Sequence, residues 1–199
     1  MGKGNTRLVV SALKWLISNY EKMNIRILNI SVGMLASARR EEQEELLAAI
    51  EAVWDAGIVV VAAAGNNGPK DKSITIPGLC RKIITVGSSD DEEGEVKNLG
   101  LMRGYSGRGP TEACIMKPEV VAPGTAIVSC KRMGNGYEMK SGTSMATPVV
   151  AGAVAVLLSR YSNLKPAEVK LRLYETSVDT GKSKHAQGWG RLDVMQLIR

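Results

Sequence analysis

Two residues in this sequence have the type and setting to attack and stabilise a carbonyl group. Ser144 stands among small residues, in Gly142-Thr143-Ser144-Met145-Ala146-Thr147-Pro148, at the head of a long apolar run. A serine at the positive end of a helix, open to substrate and surrounded by backbone N–H groups, has what a nucleophile requires. Alone, Gly-x-Ser-x-Ala says little, because a serine in that place more often just caps the helix. Asn66 accompanies it. The stretch Ala62-Ala63-Ala64-Gly65-Asn66-Asn67-Gly68-Pro69 puts an amide side chain just beyond a buried strand, where it can donate to an oxyanion. Asn-Gly is also ordinary turn chemistry.

These two residues need a scaffold, and the hydrophobic pattern supplies one. Leu8, Val9, Ala12, Leu13, Leu16 and Ile17 recur at helical spacing and predict an amphipathic helix over residues 6–23, followed by a strand from Ile25 to Val32. A second helix is expected from Glu45 to Trp54, stopped by Gly57, and then a strand from Ile58 to Ala64 that is apolar throughout. A run of that kind is buried on both faces. Shorter β-rich runs occur at Ile83 to Val86 and Glu119 to Ala122. Helix and buried strand in alternation predict an α/β domain: a mostly parallel sheet flanked by helices in three layers. Chemistry in such sheets belongs at the strands' C-terminal ends, where the loops Ser31 to Leu35 and Gly65 to Pro69 emerge.

After Pro148 the chain is apolar on every side, which predicts a helix through the core. Pro148 has no N–H for the Ser144 carbonyl, so the first turn should be irregular. A further helix is expected from Pro166, with Val169, Leu171 and Leu173 inward, and Gly188-Trp189-Gly190 forms a turn before a last short helix.

The 199 residues, 44% apolar and 23% charged, suit one domain spanning 1–199. No apolar run reaches 18 residues and the N-terminus carries no signal-like stretch, so no membrane partner is expected. The net charge of +6 is scattered (Arg39-Arg40, Lys131-Arg132, Lys182 with Lys184) and aromatics make up 4%, which argues against nucleic acid. The acidic run Asp90-Asp91-Glu92-Glu93 with Glu95 reads as a solvated loop rather than a calcium site. Cys80, Cys114 and Cys130 have neither metal-ligand spacing nor an even count. They are expected as buried or partly buried thiols, and their sparseness favours a cytoplasmic location.

Four blocks in order resemble the subtilase family of serine proteases. They are Ile27-Leu28-Asn29-Ile30-Ser31-Val32-Gly33; the Ala-Ala-Gly-Asn block ending at Asn66; Tyr105-Ser106-Gly107-Arg108-Gly109-Pro110 with Lys117-Pro118-Glu119-Val120-Val121-Ala122-Pro123-Gly124; and the block around Ser144. Gly188-Trp189-Gly190-Arg191-Leu192-Asp193 resembles the family's C-terminal turn. Within the family the likeness is to bacterial intracellular subtilisins. It implies a subtilisin-like fold in which Ser144 attacks the scissile carbonyl while the Asn66 amide and the Ser144 N–H hold the oxyanion. Ser31, Val32 and Gly33 would pair with a peptide or protein substrate by strand addition, Ala63 and Gly65 would wall the side-chain pocket, and Thr143 joins the substrate-binding set. Pro77 sits where the family has a cis-proline, and Met145 would be the oxidation-sensitive neighbour.

The family's triad runs Asp, His, Ser, with the first two ahead of the Ile27 strand. The 26 residues before Ile27 contain neither Asp nor His. The expectation is a partial peptidase domain whose N-terminal strands and Asp/His segment are missing, inactive alone, with a sheet edge open to that segment or to a second copy. No cofactor is assigned, since the family's calcium sites use N-terminal residues not present here.

Two decoys are set aside. Val178-Asp179-Thr180-Gly181 has the look of a catalytic Asp motif but lacks an apolar strand and reads as a turn. Ser144, Asp179 and His185 have the α/β-hydrolase order, yet the lead-in Gly134-Asn135-Gly136-Tyr137-Glu138-Met139-Lys140 is polar and turn-like where that fold needs a buried strand. The remaining rival is a non-catalytic subtilase-like module that binds or regulates peptides along Ser31 to Gly33.

Overall fold

A computed structural model describes residues 6–33, 40–92 and 103–199. Its elements run α1 (Thr6–Asn19), β1 (Ile27–Ile30), α2 (Arg40–Asp55), β2 (Val59–Ala63), β3 (Ile84–Ser88), β4 (Val120–Ala122), β5 (Ile127–Cys130), β6 (Tyr137–Lys140), α3 (Thr143–Arg160), α4 (Pro166–Thr176), α5 (Lys184–Gln187) and α6 (Val194–Leu197). Strands β1 to β4 form one parallel sheet in that order. All residues of β2 and β3 are buried, as their near-continuous apolar sequence requires. Helices flank this sheet: α1 packs on α2 and α2 on β2, while α3 lies across all four strands. This is the α/β arrangement that the helix–strand alternation predicts.

Element ends differ from the periodicity in ways local chemistry explains. Helix α1 stops at Asn19 because the chain then reverses, with Asn24 at φ 51° and the Ile25 N–H donating to the Tyr20 carbonyl at 2.8 Å. Helix α2 begins at Arg40 rather than Glu45, since Glu41 and Glu42 in its first turn complement the positive helix end. Gly57, at φ 95°, ends the segment as expected. In α4, Val169 and Leu173 are buried but Leu171 is exposed, lying off the inward stripe.

Helix α3 is the largest departure. Ala146, Val150, Ala153, Val154, Leu157 and Leu158 are buried, whereas Pro148, Val149, Gly152, Ala155 and Val156 form an open apolar stripe. It is long and apolar enough to cross a membrane by length and composition, but it packs on the sheet as a core helix does. The expected burial on every side is thus met on one side only.

The lead-in to Ser144 contains a strand. Strands β5 and β6 pair as an antiparallel hairpin in which Val128 opposes Met139 and Cys130 opposes Tyr137. Those residues share one exposed face, so the alternation was hidden among glycines and charges rather than absent. Cys80 is buried, but Cys114 and Cys130 are exposed, contrary to the expectation for the thiols.

The acidic run is also not simply solvated. Asp91 is buried, accepts from the Ser106 N–H at 3.1 Å and faces Lys182 at 3.4 Å, while Asp90 accepts from the Gly124 and Thr125 N–H groups. Backbone donors and nearby cations offset the cost of desolvating these carboxylates. Glu93 and Glu95 lie outside the described residues.

One ionic cluster ties the sheet to α4. The Glu119 carboxylate accepts from Lys117 Nζ at 2.8 Å, Lys170 Nζ at 2.9 Å and the Thr85 N–H at 2.8 Å, with Lys117 fully buried. Burial pushes the Lys117 ammonium below its ordinary pKa, and Glu119 opposes that shift. Replacing Glu119 by Gln leaves Lys117 and Lys170 without their shared counter-charge, and we expect a loss of about 3–5 kcal/mol of stability in urea denaturation. An unchanged midpoint and slope would remove the cluster from the account of stability.

Candidate active site

Parallel pairing of β1 with β2 brings the loops after Ile30 and after Ala63 to the same end of the sheet. Helix α3 starts there, and the three segments meet through hydrogen bonds. The Ser144 hydroxyl donates to the Ser31 carbonyl at 2.7 Å. The Thr143 N–H and hydroxyl both donate to Asn66 Oδ1, at 2.9 and 3.0 Å. The Thr143 hydroxyl also accepts from the Gly65 N–H at 3.1 Å. The described parts of both loops that the sequence marked therefore meet at one place, with Met34 and Leu35 outside the described residues, and Thr143, fully buried, is the junction between them.

This junction decides the orientation of the Asn66 amide. A backbone N–H can only donate, so the atom facing Thr143 is the amide oxygen, and Nδ2 is left as the free donor end. Asn66 is exposed and Ser144 half-buried, so both are open to a ligand. The residue that caps α3 is Gly142 rather than Ser144. Ser144 stands in the first turn, where N–H groups have no intrahelical acceptor, and so offers a second donor beside its hydroxyl. Gly142 is required twice: its φ is 145°, and a Cβ there would lie 3.0 Å from Asn66 Nδ2.

A second layer fixes Gly142. Its N–H donates to the Gly124 carbonyl at 2.9 Å, and the Gly124 N–H in turn donates to Asp90 at 2.9 Å. Tyr105 adds its hydroxyl between Ser88 at 2.9 Å and Thr125 at 3.0 Å, and burial raises its pKa. Asp90 was missed as a positioning residue in the sequence reading. Its signal was an acid two residues beyond a buried strand, obscured by the charge run that follows.

Other residues fall elsewhere. Val32 and Gly33 extend from Ser31 and are exposed, Val32 by 58%. Ala63 is buried at the end of β2. His185 Nδ1 lies 3.0 Å from Asp71, and Asp179 accepts from Gly181, Lys184 and Gln187 in a turn, each at 2.8 Å. Its pKa is held below the usual carboxylate range, first by Lys184. The Ile76–Pro77 bond is cis. Among the described residues, the Ser31 carbonyl is the partner recorded for the Ser144 hydroxyl.

Thr143 offers a direct test. Thr143→Val leaves the buried Gly65 N–H without an acceptor and releases half of the hold on Asn66, so we expect a loss of about 1–3 kcal/mol in chemical denaturation, largely recovered in Thr143→Ser. Equal stability of the Val and Ser variants would mean that the hydroxyl does not hold the junction.

Comparison with known proteins places the chain in a family. The model of the subtilase family, Peptidase S8, matches residues 1–190. Serine protease AprX of Bacillus subtilis is 36% identical over 207 residues, covering 95% of this chain and 46% of that protein. Subtilisin DY of Bacillus licheniformis is 33% identical, covering 97% of this chain and 62% of the relative. The chain thus spans about half the length of these relatives. Among solved structures, the S41 psychrophilic protease superposes with a TM-score of 0.78 at 26% identity, over 96% of this chain and 64% of that one.

Proposed function

The chain belongs to the subtilase family, and from that premise we propose that it is the nucleophile- and oxyanion-bearing part of a serine endopeptidase. The observation that carries this reading is the pinning of Asn66 Oδ1 by Thr143, the residue just before Ser144. It delivers the amide donor to the nucleophile's side in a preorganised form.

In the proposed reaction a base withdraws the Ser144 proton as Oγ bonds to the scissile carbonyl carbon. The Asn66 amide and the Ser144 N–H hold the oxyanion; the base then passes its proton to the leaving amine as the C–N bond breaks, and water releases the acyl group. The present partner of Ser144, the Ser31 carbonyl, accepts a hydrogen bond but is far too weak a base to take the proton. Base and orienting carboxylate are assigned to an Asp- and His-bearing segment of the same domain. Two features favour docking of that segment: β1 pairs only with β2 among the described strands, and α3 leaves its apolar stripe open on the helix that carries Ser144. Ser31, Val32 and Gly33 would align the substrate backbone, and Ala63 and Gly65 would flank the side chain beside the cut.

Fluorophosphonate labelling followed by intact-mass measurement tests this. We expect no adduct on the chain alone, and a Ser144-dependent adduct once the Asp- and His-bearing segment of the AprX relative is supplied, with Ser144→Ala blank throughout. In the complemented protein, Asn66→Ala should lower turnover on the order of 10²–10³-fold, the loss that removing one oxyanion donor brings in a subtilisin. Labelling of the isolated chain would mean that a base resides within it. Absence of labelling after complementation would favour the peptide-binding module.

A further inference from the structure

A cavity of about 460 Å³ is lined by Pro69, Glu92, Arg103, Gly104 and Arg108. Its walls come from the loops after β2 and β3, whereas Ser31 follows β1, on the other flank of β2. The two loops are joined by their backbones: the Gly68 N–H donates to the Tyr105 carbonyl at 2.9 Å, and the Gly107 N–H donates to the Gly65 carbonyl at 2.7 Å. Arg108 is fixed in the wall. Its N–H donates to the Ser73 hydroxyl and its carbonyl accepts from the Ser73 N–H, both at 2.9 Å.

The donors around this cavity outnumber the acceptors offered to them. Arg108 Nε is buried and has no hydrogen-bond partner. Such a donor has given up its water without a replacement, and the cavity that Arg108 lines is where an acceptor can enter. The far end of the same guanidinium reaches Glu92 at 3.3 Å and Asp91 at 4.0 Å, both long for an ion pair. Arg103 uses its Nε on the Glu92 carbonyl at 2.8 Å, which leaves its terminal nitrogens to the cavity. Lys182 stands behind, 3.4 Å from Asp91 and 4.0 Å from Glu92, so three cations face two carboxylates. Asp90 is spent elsewhere, on the Gly124 and Thr125 N–H groups.

We propose that this cavity is a carboxylate-binding site, in which Arg103 and Arg108 hold an anionic ligand between their guanidinium groups. The paired N–H donors of a guanidinium match the two oxygens of a carboxylate. Glu92 competes for Arg108, but its side chain is 51% exposed, and a pair so open to water is weak enough for a ligand to displace. An acidic side chain of a polypeptide and a small free carboxylate share this chemistry. On a polypeptide, the bound side chain anchors it against the loop that bears Asn66.

The test is an NMR titration of the 199-residue chain at constant ionic strength, following the arginine Nε–H signals. The probes are succinate, acetyl-Gly-Glu-Gly-amide and its Gln counterpart. The Arg108 Nε–H signal should shift with a carboxylate probe, and the Gln peptide should bind about 10-fold more weakly than the Glu peptide, or worse. Arg103→Ala should weaken carboxylate binding about 10-fold, whereas Glu92→Gln should tighten it about 2–5-fold. Opposite signs at adjoining residues do not arise from loss of the fold. Saturation by succinate identifies a small free carboxylate as sufficient, and saturation by the Glu peptide alone identifies an acidic side chain. Equal binding of the Glu and Gln peptides overturns the proposal, as does an Arg108 signal that no probe moves. So does a Glu92→Gln variant that binds no more tightly than the wild type. None of these readouts involves Ser144, so failure here leaves the peptidase reading to its own labelling experiment.

Discussion

The site depends on the hydrogen bonds that converge on Thr143. A single buried residue accepts from the Gly65 N–H and donates twice to Asn66 Oδ1, so the loop after β2 and the first turn of α3 cannot move independently. In a buried setting each of those bonds is costly to leave unmade, and the penalty falls on the residues adjacent to Ser144. On the proposed reading the Asn66 amide would need no rearrangement at the moment of reaction, which is the property that makes fixed dipoles effective.

The rest of the architecture serves to keep that junction in place. Parallel pairing sets the level at which the loops after β1 and β2 emerge, and the apolar face of α3 presses its first turn against them. On the far side, Asp90 holds Gly124, and Gly124 holds Gly142. At the opposite end of β4 the Glu119 carboxylate joins Lys117, Lys170 and the β3 backbone, locking α4 to the sheet. The carboxylates therefore act here as backbone organisers, accepting from loop and strand N–H groups and from ammonium groups that also reach backbone carbonyls.

Much of this was legible from residue order alone. The apolar runs around Val59–Ala63 and Ile84–Ser88 specified buried strands, and the motifs around Asn66 and Ser144 named the residues that the fold then brings together. What stayed hidden depends on tertiary context. Periodicity could not show that one side of α3 stays open, because that depends on what packs against it. The β5–β6 hairpin escaped because its two strands are four residues each, with charged residues in β6 and glycines in the turn between them. Asp91 read as solvated because sequence does not reveal that Arg108 and Lys182 arrive beside it from distant positions.

The open stripe on α3 has a consequence for the life of the molecule rather than for its chemistry. Pro148, Val149, Gly152, Ala155 and Val156 form a surface that a quality-control system reads as unfinished folding. Chaperones and degradative enzymes recognise such surfaces by hydrophobicity, whatever the state of the remaining fold. On the proposed reading, the segment that docks on this stripe would also shield it, and the amount of polypeptide that persists would follow that docking.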